Sequence, residues 1–278
     1  MRSDASGRRR FLARTVVVTS TLGLGGCLTG GSDNSGDRGP GTTTTEEETS
    51  TEVVREETTT DNTEPPGETT TEIPSSSESG DSTPEGPRTV SFDAPHGVTI
   101  EATAYGSGDC GIVLVPQINL DRGSWQPQAE MIAEMGHLAL AIDEDPDNRS
   151  ASVRGAIRYL RQQQNVSTVI LVGASTGGEA VAIANTKADT AVDGTITLSA
   201  AGGADHASKL QGRSLFIVSK GDEDRFVRIA QELHQGASEP KNLVEYEGSA
   251  HGQRIFTSGH SDDLQDRVRT FISEVCEK

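Results

Sequence analysis

Lysine, aromatic side chains and long apolar runs are all scarce in this chain of 278 residues. Only five residues are lysine, aromatic residues make up 4% and hydrophobic residues 32%. With 24 Lys and Arg against 42 Asp and Glu, the formal net charge is −18. Nucleic acids are bound through clustered positive charge, so this composition argues against a nucleic-acid-binding protein. The apolar residues are concentrated in 89–278, which is long enough for one domain with its own core.

The acidic, lysine-poor composition of the domain resembles that of proteins from salt-loving archaea. In molar salt the Debye length falls to about 3 Å, so that surface carboxylates repel one another little. We therefore expect a protein adapted to high salt. An acidic protein from ordinary salt conditions is the alternative.

The first 26 residues have the pattern of an export signal. Arginines in 8–14 include a pair followed by Phe11-Leu12, and an apolar stretch, Val16–Gly26, comes next. That stretch is too short to span a hydrocarbon core about 30 Å thick, but it suits a signal peptide. The arrangement resembles a twin-arginine signal, which makes the twin-arginine export machinery an expected partner of the precursor.

The signal ends at a cysteine that is a candidate for lipid attachment. Small residues precede Cys27 in Leu24–Cys27, and this pattern resembles a lipobox. Lipid on Cys27 would hold the mature protein on the extracellular face of the cell membrane. A chance cysteine at an ordinary cleavage site and an uncleaved signal acting as an anchor are the alternatives.

Residues 27–88 are predicted to form a disordered linker rich in Thr, Glu and Ser. Residues 31–88 contain fifteen acidic and three basic side chains and show no helical or strand periodicity. Such a segment lacks the apolar surface that would offset the entropy lost on ordering. We expect a tether between a lipid anchor and a working domain at 89–278.

Short apolar runs alternate with amphipathic segments throughout 89–278. Eight runs predict strands at 90–93, 98–104, 112–115, 138–142, 169–172, 195–198, 215–218 and 243–246. Five segments predict helices at 126–135, 152–163, 178–186, 225–234 and 263–275. Near-continuous apolar strands separated by helices are typical of a mostly parallel sheet covered on both faces. The sequence therefore predicts the α/β class, with the first two strands as an antiparallel edge.

The motif Gly173-x-Ser175-x-Gly177 stands between a predicted strand and a predicted helix. The motif alone is weak evidence, but a sharp strand–turn–helix corner would hold the Ser175 hydroxyl exposed above the strand ends. The backbone N–H of Thr176, at the start of the helix, would then face an oxyanion formed at a substrate carbonyl. A glycine-rich turn with a capping serine is the alternative.

A serine hydroxyl needs a base to become a nucleophile, and His251 is the predicted base. It lies in the loop Glu247–Gly252, directly after the last predicted strand, 243–246. The base is expected on that loop when the nucleophile lies at a corner of this kind. His206 and His260, which also lie in predicted loops, are the alternatives.

The carboxylate that orients the histidine is predicted to follow the strand 215–218. Asp224 is preferred because the spacing Gly221-x-x-Asp224 lets the chain turn, present one carboxylate and begin the next helix. Asp222 is the first alternative, and Asp205, after the preceding strand, is a more distant one.

Residues 89–278 resemble a small α/β-hydrolase of the lidless, dienelactone-hydrolase-like type. The resemblance rests on Gly173-x-Ser175-x-Gly177-Gly178, Gly221-x-x-Asp224, Gly248–Gly252, the segment 121–125 and the strand ending at Asp143. The chain order Ser175, Asp224, His251 is also that of α/β-hydrolases. The resemblance implies an α/β-hydrolase fold without a large lid, acting as a monomer on a small-molecule ester. Dienelactone hydrolases use a cysteine nucleophile, whereas serine implies carboxylic-ester hydrolysis through an acyl-enzyme.

The loop after the third predicted strand departs from the pattern of that family. After the third strand the family usually shows His-Gly, whereas this chain has Pro116-Gln117. Pro116 has no N–H, so a backbone N–H of Gln117 or Ile118 would have to complete the oxyanion hole with Thr176. This departure gives weight to an alternative function, a non-catalytic surface lipoprotein that keeps the scaffold for binding.

Two cysteines remain in the domain. Cys110 precedes the third predicted strand and Cys276 ends the last predicted helix, so both are expected at the edge of the sheet remote from the site. We predict a disulfide between them outside the cell, with two unrelated thiols as the alternative. No Cys/His cluster has metal-ligand spacing and no phosphate-binding loop occurs, so neither a metal nor a cofactor is expected.

Overall fold

The computed structural model of the protein describes residues 86–277. The predicted signal peptide, the predicted lipidation site Cys27 and the predicted linker up to residue 85 lie outside the described residues. Within 86–277, no helix combines the length and the apolar character needed to cross a membrane.

Eight strands form one sheet in the order β1-β2-β4-β3-β5-β6-β7-β8. They are β1 (Arg88–Asp93), β2 (Thr99–Tyr105), β3 (Cys110–Val115), β4 (Leu138–Ile142), β5 (Thr168–Ala174), β6 (Gly194–Leu198), β7 (Arg213–Ser219) and β8 (Lys241–Tyr246). β1 and β2 form an antiparallel pair, β2 is antiparallel to β4, and β3 to β8 are all parallel. The predicted α/β class, the strand count and the antiparallel edge are confirmed.

Within the described part of the chain, five α-helices cover the two faces of the sheet. They are α1 (Gln126–Glu134), α2 (Arg149–Gln163), α3 (Thr176–Lys187), α4 (Asp224–Gly236) and α5 (Ser261–Cys276). Apolar side chains of α1 and α5 pack on one face, and those of α2, α3 and α4 on the other. Because both faces are covered, all six residues of β3 are buried, which explains the continuous apolar runs in the sequence.

Helices between parallel strands bring the carboxyl ends of those strands to one edge of the sheet. The loops after β3, β5, β7 and β8 therefore gather there. These loops carry Gln117, Ser175, Asp222 and His251, respectively. The fold thus brings together side chains that are far apart in the sequence.

A disulfide lies at the opposite edge. Cys110 begins β3 and Cys276 ends α5, and the structure joins their sulfur atoms in a disulfide across 166 residues of sequence. His137, just before β4, brings a ring nitrogen within 4.8 Å of both sulfurs. Burial lowers the pKa of His137 below its ordinary value, and the charge of Glu277 opposes that effect. The disulfide ties the last helix to the central strand of the sheet.

Candidate active site

Ser175 occupies a sharp corner between β5 and α3. Its backbone has φ 48° and ψ −114°, a conformation that costs a non-glycine residue free energy and persists only where surrounding contacts impose it. Those contacts are backbone hydrogen bonds: the N–H donates to Leu198 O at 2.9 Å, and the carbonyl accepts from Ala201 N at 2.9 Å and Glu179 N at 3.1 Å. The neighbouring strand β6 and its loop therefore hold the corner in place.

The glycines of the motif permit the close approach of backbone that forms this corner. A Cβ at Gly173 would lie 2.3 Å from Gly177 O. A Cβ at Gly177 would lie 2.4 Å from Pro116 O and 2.5 Å from Val115 O, in the neighbouring strand and its loop. The sequence G-x-S-x-G is thus required here by packing between β3, β5 and α3.

His251 is paired with a buried carboxylate. Its Nδ1 lies 2.8 Å from Asp222 Oδ2, and the Asp222 side chain is only 5% exposed. A carboxylate only accepts hydrogen bonds, so Nδ1 carries the proton and Nε2 of the neutral ring is left as an acceptor. Asp222 Oδ1 is engaged by the N–H of Glu223 at 2.8 Å, and the Phe226 ring packs 4.2 Å from the imidazole. This is the arrangement of a general base and the group that orients it.

The sequence favoured Asp224 as the partner of His251, but the structure places Asp222 there instead. Asp224 is the first residue of α4, and its side chain is exposed in the first turn of that helix. A carboxylate there is favoured by the helix dipole, which accounts for its position without a bond to a histidine. The alternative Asp222 lies in the turn before the helix, while Asp205 lies exposed in the segment Ala204–Lys209.

Two buried serines that the sequence analysis missed hold the loop of His251. Ser219, the last residue of β7, donates from Oγ to Ala250 O at 2.7 Å. Ser199, just after β6, accepts at Oγ from Gly252 N at 3.1 Å and itself adopts φ 47°. The two bonds hold the backbone on either side of His251. A serine at the carboxyl end of each of two neighbouring strands was the only signal for this role in the sequence.

The predicted oxyanion donors differ in whether their backbone N–H already donates a hydrogen bond within the protein. Thr176 begins α3, so its N–H has no helical carbonyl to bind. The N–H of Gln117 donates to Gln253 Oε1 at 3.1 Å, whereas within 86–277 the N–H of Ile118 has no acceptor. Of the two candidates left open by the sequence, Ile118 is therefore the one with a free donor.

A cleft of about 460 Å³ opens along the loop after β3, and neither Ser175 nor His251 is among the residues that line it. Its lining includes the loop Gln117–Asp121, whose side chains Ile118 and Leu120 are 52% and 46% exposed, and the acidic end of β4. Glu144 in that lining is 8% exposed, and burial raises its pKa from 4.5 to about 7, although Arg149 Nε lies 3.5 Å away. The cleft thus combines apolar surface with a carboxyl that is largely shielded from water.

The fold is similar to that of several solved esterases and hydrolases. An esterase of Pyrococcus furiosus superposes with a TM-score of 0.60 at 12% identity, over 68% of this chain and 90% of that one. A dienelactone hydrolase of Anabaena variabilis gives 0.60 at 15% identity, over 69% and 99%. An esterase of Exiguobacterium antarcticum gives 0.57 at 13% identity, over 66% and 99%. At such identities the similarity establishes the fold, and the predicted α/β-hydrolase fold is confirmed.

No protein-family model and no curated protein matches the sequence. A strained serine at a strand–helix corner, a histidine oriented by a buried aspartate and free backbone donors are the parts needed for acyl transfer.

Proposed function

We propose that this protein is a serine hydrolase that cleaves carboxylic esters by a Ser175–His251–Asp222 triad. The observation that carries the proposal is the 2.8 Å contact of His251 Nδ1 with Asp222 Oδ2, on the loop next to the strained Ser175 corner. A buried aspartate that fixes the tautomer of a histidine leaves Nε2 ready to accept a proton. That is what a serine nucleophile requires.

In the proposed mechanism Ser175 Oγ attacks the ester carbonyl as its proton passes to His251 Nε2. The oxyanion accepts hydrogen bonds from the backbone N–H groups of Thr176 and Ile118. Protonated His251, stabilised by Asp222, then gives its proton to the leaving alcohol, and the acyl group remains on Ser175. Water attacks this ester with His251 again as base, which releases the acid and restores the serine.

A fluorophosphonate probe tests the proposal, because it labels only activated serines. We expect the wild type, assayed in multimolar salt, to be labelled and to hydrolyse p-nitrophenyl butyrate, and Ser175→Ala to do neither. Ser208→Ala, which changes an exposed serine, is the matched control and should keep both properties. A folded wild type that is neither labelled nor active would refute the hydrolase.

The competing function is a non-catalytic surface protein that uses the scaffold for binding. Two observations favour it: Gln117 N–H is already engaged by Gln253, and among the described residues no hydrogen bond joins Ser175 Oγ to His251. Catalytic hydrogen bonds are often long in unliganded enzymes, so we prefer the hydrolase. The probe experiment separates the two functions.

We propose small and medium acyl groups as substrates. The cleft of about 460 Å³ has a volume suited to small molecules, and Ile118 and Leu120 offer apolar surface at its rim. Chain-length preference is tested with p-nitrophenyl esters from acetate to palmitate. Faster hydrolysis of palmitate than of butyrate would refute this assignment.

We also propose that the protein works at high salt on the outer face of the membrane, held there by lipid on Cys27. The supports are the arginine-rich apolar N-terminus, the Gly-Gly-Cys sequence and the net charge of −18. Cys27→Ser should release the protein into the medium, and continued retention in the membrane would indicate an uncleaved signal helix. Loss of folded structure on dilution from multimolar salt would support the salt adaptation.

A further inference from the structure

Two glutamines bind each other across 136 residues of sequence. Gln117, in the loop after β3, donates its N–H to Gln253 Oε1 at 3.1 Å. Gln253, two residues after His251, donates its own N–H to Gln117 Oε1 at 3.0 Å. Each side-chain carbonyl thus accepts from the backbone of the other residue. We call this reciprocal pair the glutamine clamp.

The clamp fixes the orientation of both side-chain amides. A backbone N–H can only donate, so the atom facing it must be the amide oxygen, and a flip of either amide would place two donors against each other. The amide nitrogen of Gln253, Nε2, donates to Ser124 Oγ at 2.9 Å, and the Ser124 hydroxyl donates to Asp121 O at 2.6 Å. The clamp therefore extends to the far end of the loop 117–124.

The backbone between His251 and Gln253 is shaped to accept the clamp. Gly252 adopts φ 57°, and a Cβ there would lie 2.5 Å from Gln117 Oε1 and 3.5 Å from the Cβ of Ala174. Ala174 directly precedes Ser175 in the chain. The Gln117 amide thus lies where the loop of the base, the end of β5 and the candidate oxyanion loop meet.

We propose that Gln253 is a positioning residue, which through Gln117 holds the Ile118 N–H in place relative to His251 and Ser175. This inference rests on the proposed hydrolase function. The inference gives Pro116-Gln117 a role. The Gln117 side chain holds the loop after β3, while the N–H of Ile118 is left to bind the oxyanion. An oxyanion donor stabilises the transition state only when it is held in position in advance, so the clamp acts on kcat.

The test compares Gln253→Met with Gln253→Glu in the full-length protein. Methionine keeps the length of the side chain but cannot accept from Gln117 N–H, and we expect kcat for p-nitrophenyl butyrate to fall about 30-fold with KM within about twofold. A glutamate carboxylate still accepts that bond, and the Ser124 hydroxyl can rotate to donate to it, so kcat should stay within about threefold. Gln231→Met, at an exposed glutamine bonded to Glu245, is the matched control and should match the wild type.

A second readout does not depend on catalysis. Amide hydrogen exchange in the segment 117–120 should speed up in Gln253→Met and stay at the wild-type rate in Gln231→Met. A methionine at position 253 still donates its backbone N–H to Gln117 Oε1, so the double variant Gln117→Met/Gln253→Met, which removes both bonds, should lose more kcat than Gln253→Met alone.

The outcomes separate this inference from the proposed function. An active wild type with Gln253→Met unchanged in kcat or in exchange overturns the clamp. So does a loss of kcat that the lower folded fraction explains, or a change confined to KM. A wild type without turnover or probe labelling would refute both the hydrolase proposal and the role of Gln253 in catalysis. Amide hydrogen exchange would then still decide whether Gln253 fixes the loop after β3.

Discussion

The Ser175 corner and the loop of His251 lie at the same edge of the sheet but are built in different ways. The corner is formed by five consecutive residues, 173–177, whose glycines allow backbone to touch backbone. The loop of His251 is held by side chains from elsewhere in the chain: Ser199, Ser219 and Gln117. A short motif can therefore reveal the first, whereas the second depends on bonds between distant segments.

Substitutions in the two regions should therefore have different effects. Changes at the corner should damage folding because they force backbone apart. Changes around the loop of His251 should lower kcat more than the free energy of unfolding, because they release the His251 side chain from its productive position.

The largest effect is expected for Asp222→Asn. The amide can donate to the imidazole and so favour the wrong tautomer of His251, and kcat should fall about 10⁴-fold. Asp224→Asn, at the exposed start of α4, should stay within about threefold. Steady-state kinetics on p-nitrophenyl butyrate measures both variants. Equal losses, or a larger loss at Asp224, would contradict the assignment of Asp222.

At the corner, Gly177→Ala should lower the free energy of unfolding by about 3 kcal/mol, because its Cβ would lie 2.4 Å from Pro116 O. Gly259→Ala, at a site with no atom within 4 Å of the added Cβ, is the control. Denaturant unfolding measures both variants. An unchanged unfolding midpoint for Gly177→Ala would mean that the corner is not tightly packed.

Glu144 lies outside both regions, in the lining of the cleft along the loop after β3, and provides a pH test of that cleft. Its pKa is raised by burial from 4.5 to about 7, so the folded state holds the proton more tightly than the unfolded state. The Glu144 contribution to stability is therefore fully present below about pH 4.5 and is lost as the pH rises through about 7. Glu144→Gln should abolish this loss, so that its stability relative to the wild type should be about 3 kcal/mol greater at pH 8 than at pH 4.5.

Unfolding curves of Glu144→Gln and the wild type across this pH range test the prediction, with the exposed Glu134→Gln as control. A difference between Glu144→Gln and the wild type that does not vary with pH would show that folding does not raise the pKa of Glu144.

The smallest effects are expected from the serines that hold the loop. Ser219→Ala removes the bond to Ala250 O, worth about 1 kcal/mol, and should slow fluorophosphonate labelling of Ser175 about fivefold. Ser199→Ala should act similarly through Gly252. Labelling as fast as in Ser208→Ala would indicate that the loop is held without them.

Much of this architecture could be read from the sequence. The strands β3 to β7 could be predicted from continuous apolar runs, because a strand buried on both faces must be apolar along its length. Ser175 and His251 could be placed because the fold fixes which strand each follows. Asp222 could not be separated from Asp224, because both follow β7 within five residues of its end, at Ser219.

The sequence by itself determined the layers of the fold, the strand–helix corner at Ser175 and the edge of the sheet where the loops gather. These follow from local burial patterns and from the geometry of glycine, which act over a few residues. It is the tertiary structure that brings Asp222 to His251 and Gln253 to Gln117 and that, within 86–277, leaves the N–H of Ile118 without an acceptor. The direction of a side chain in a turn depends on the backbone dihedrals of that turn, and its partner comes from a segment that only folding brings near.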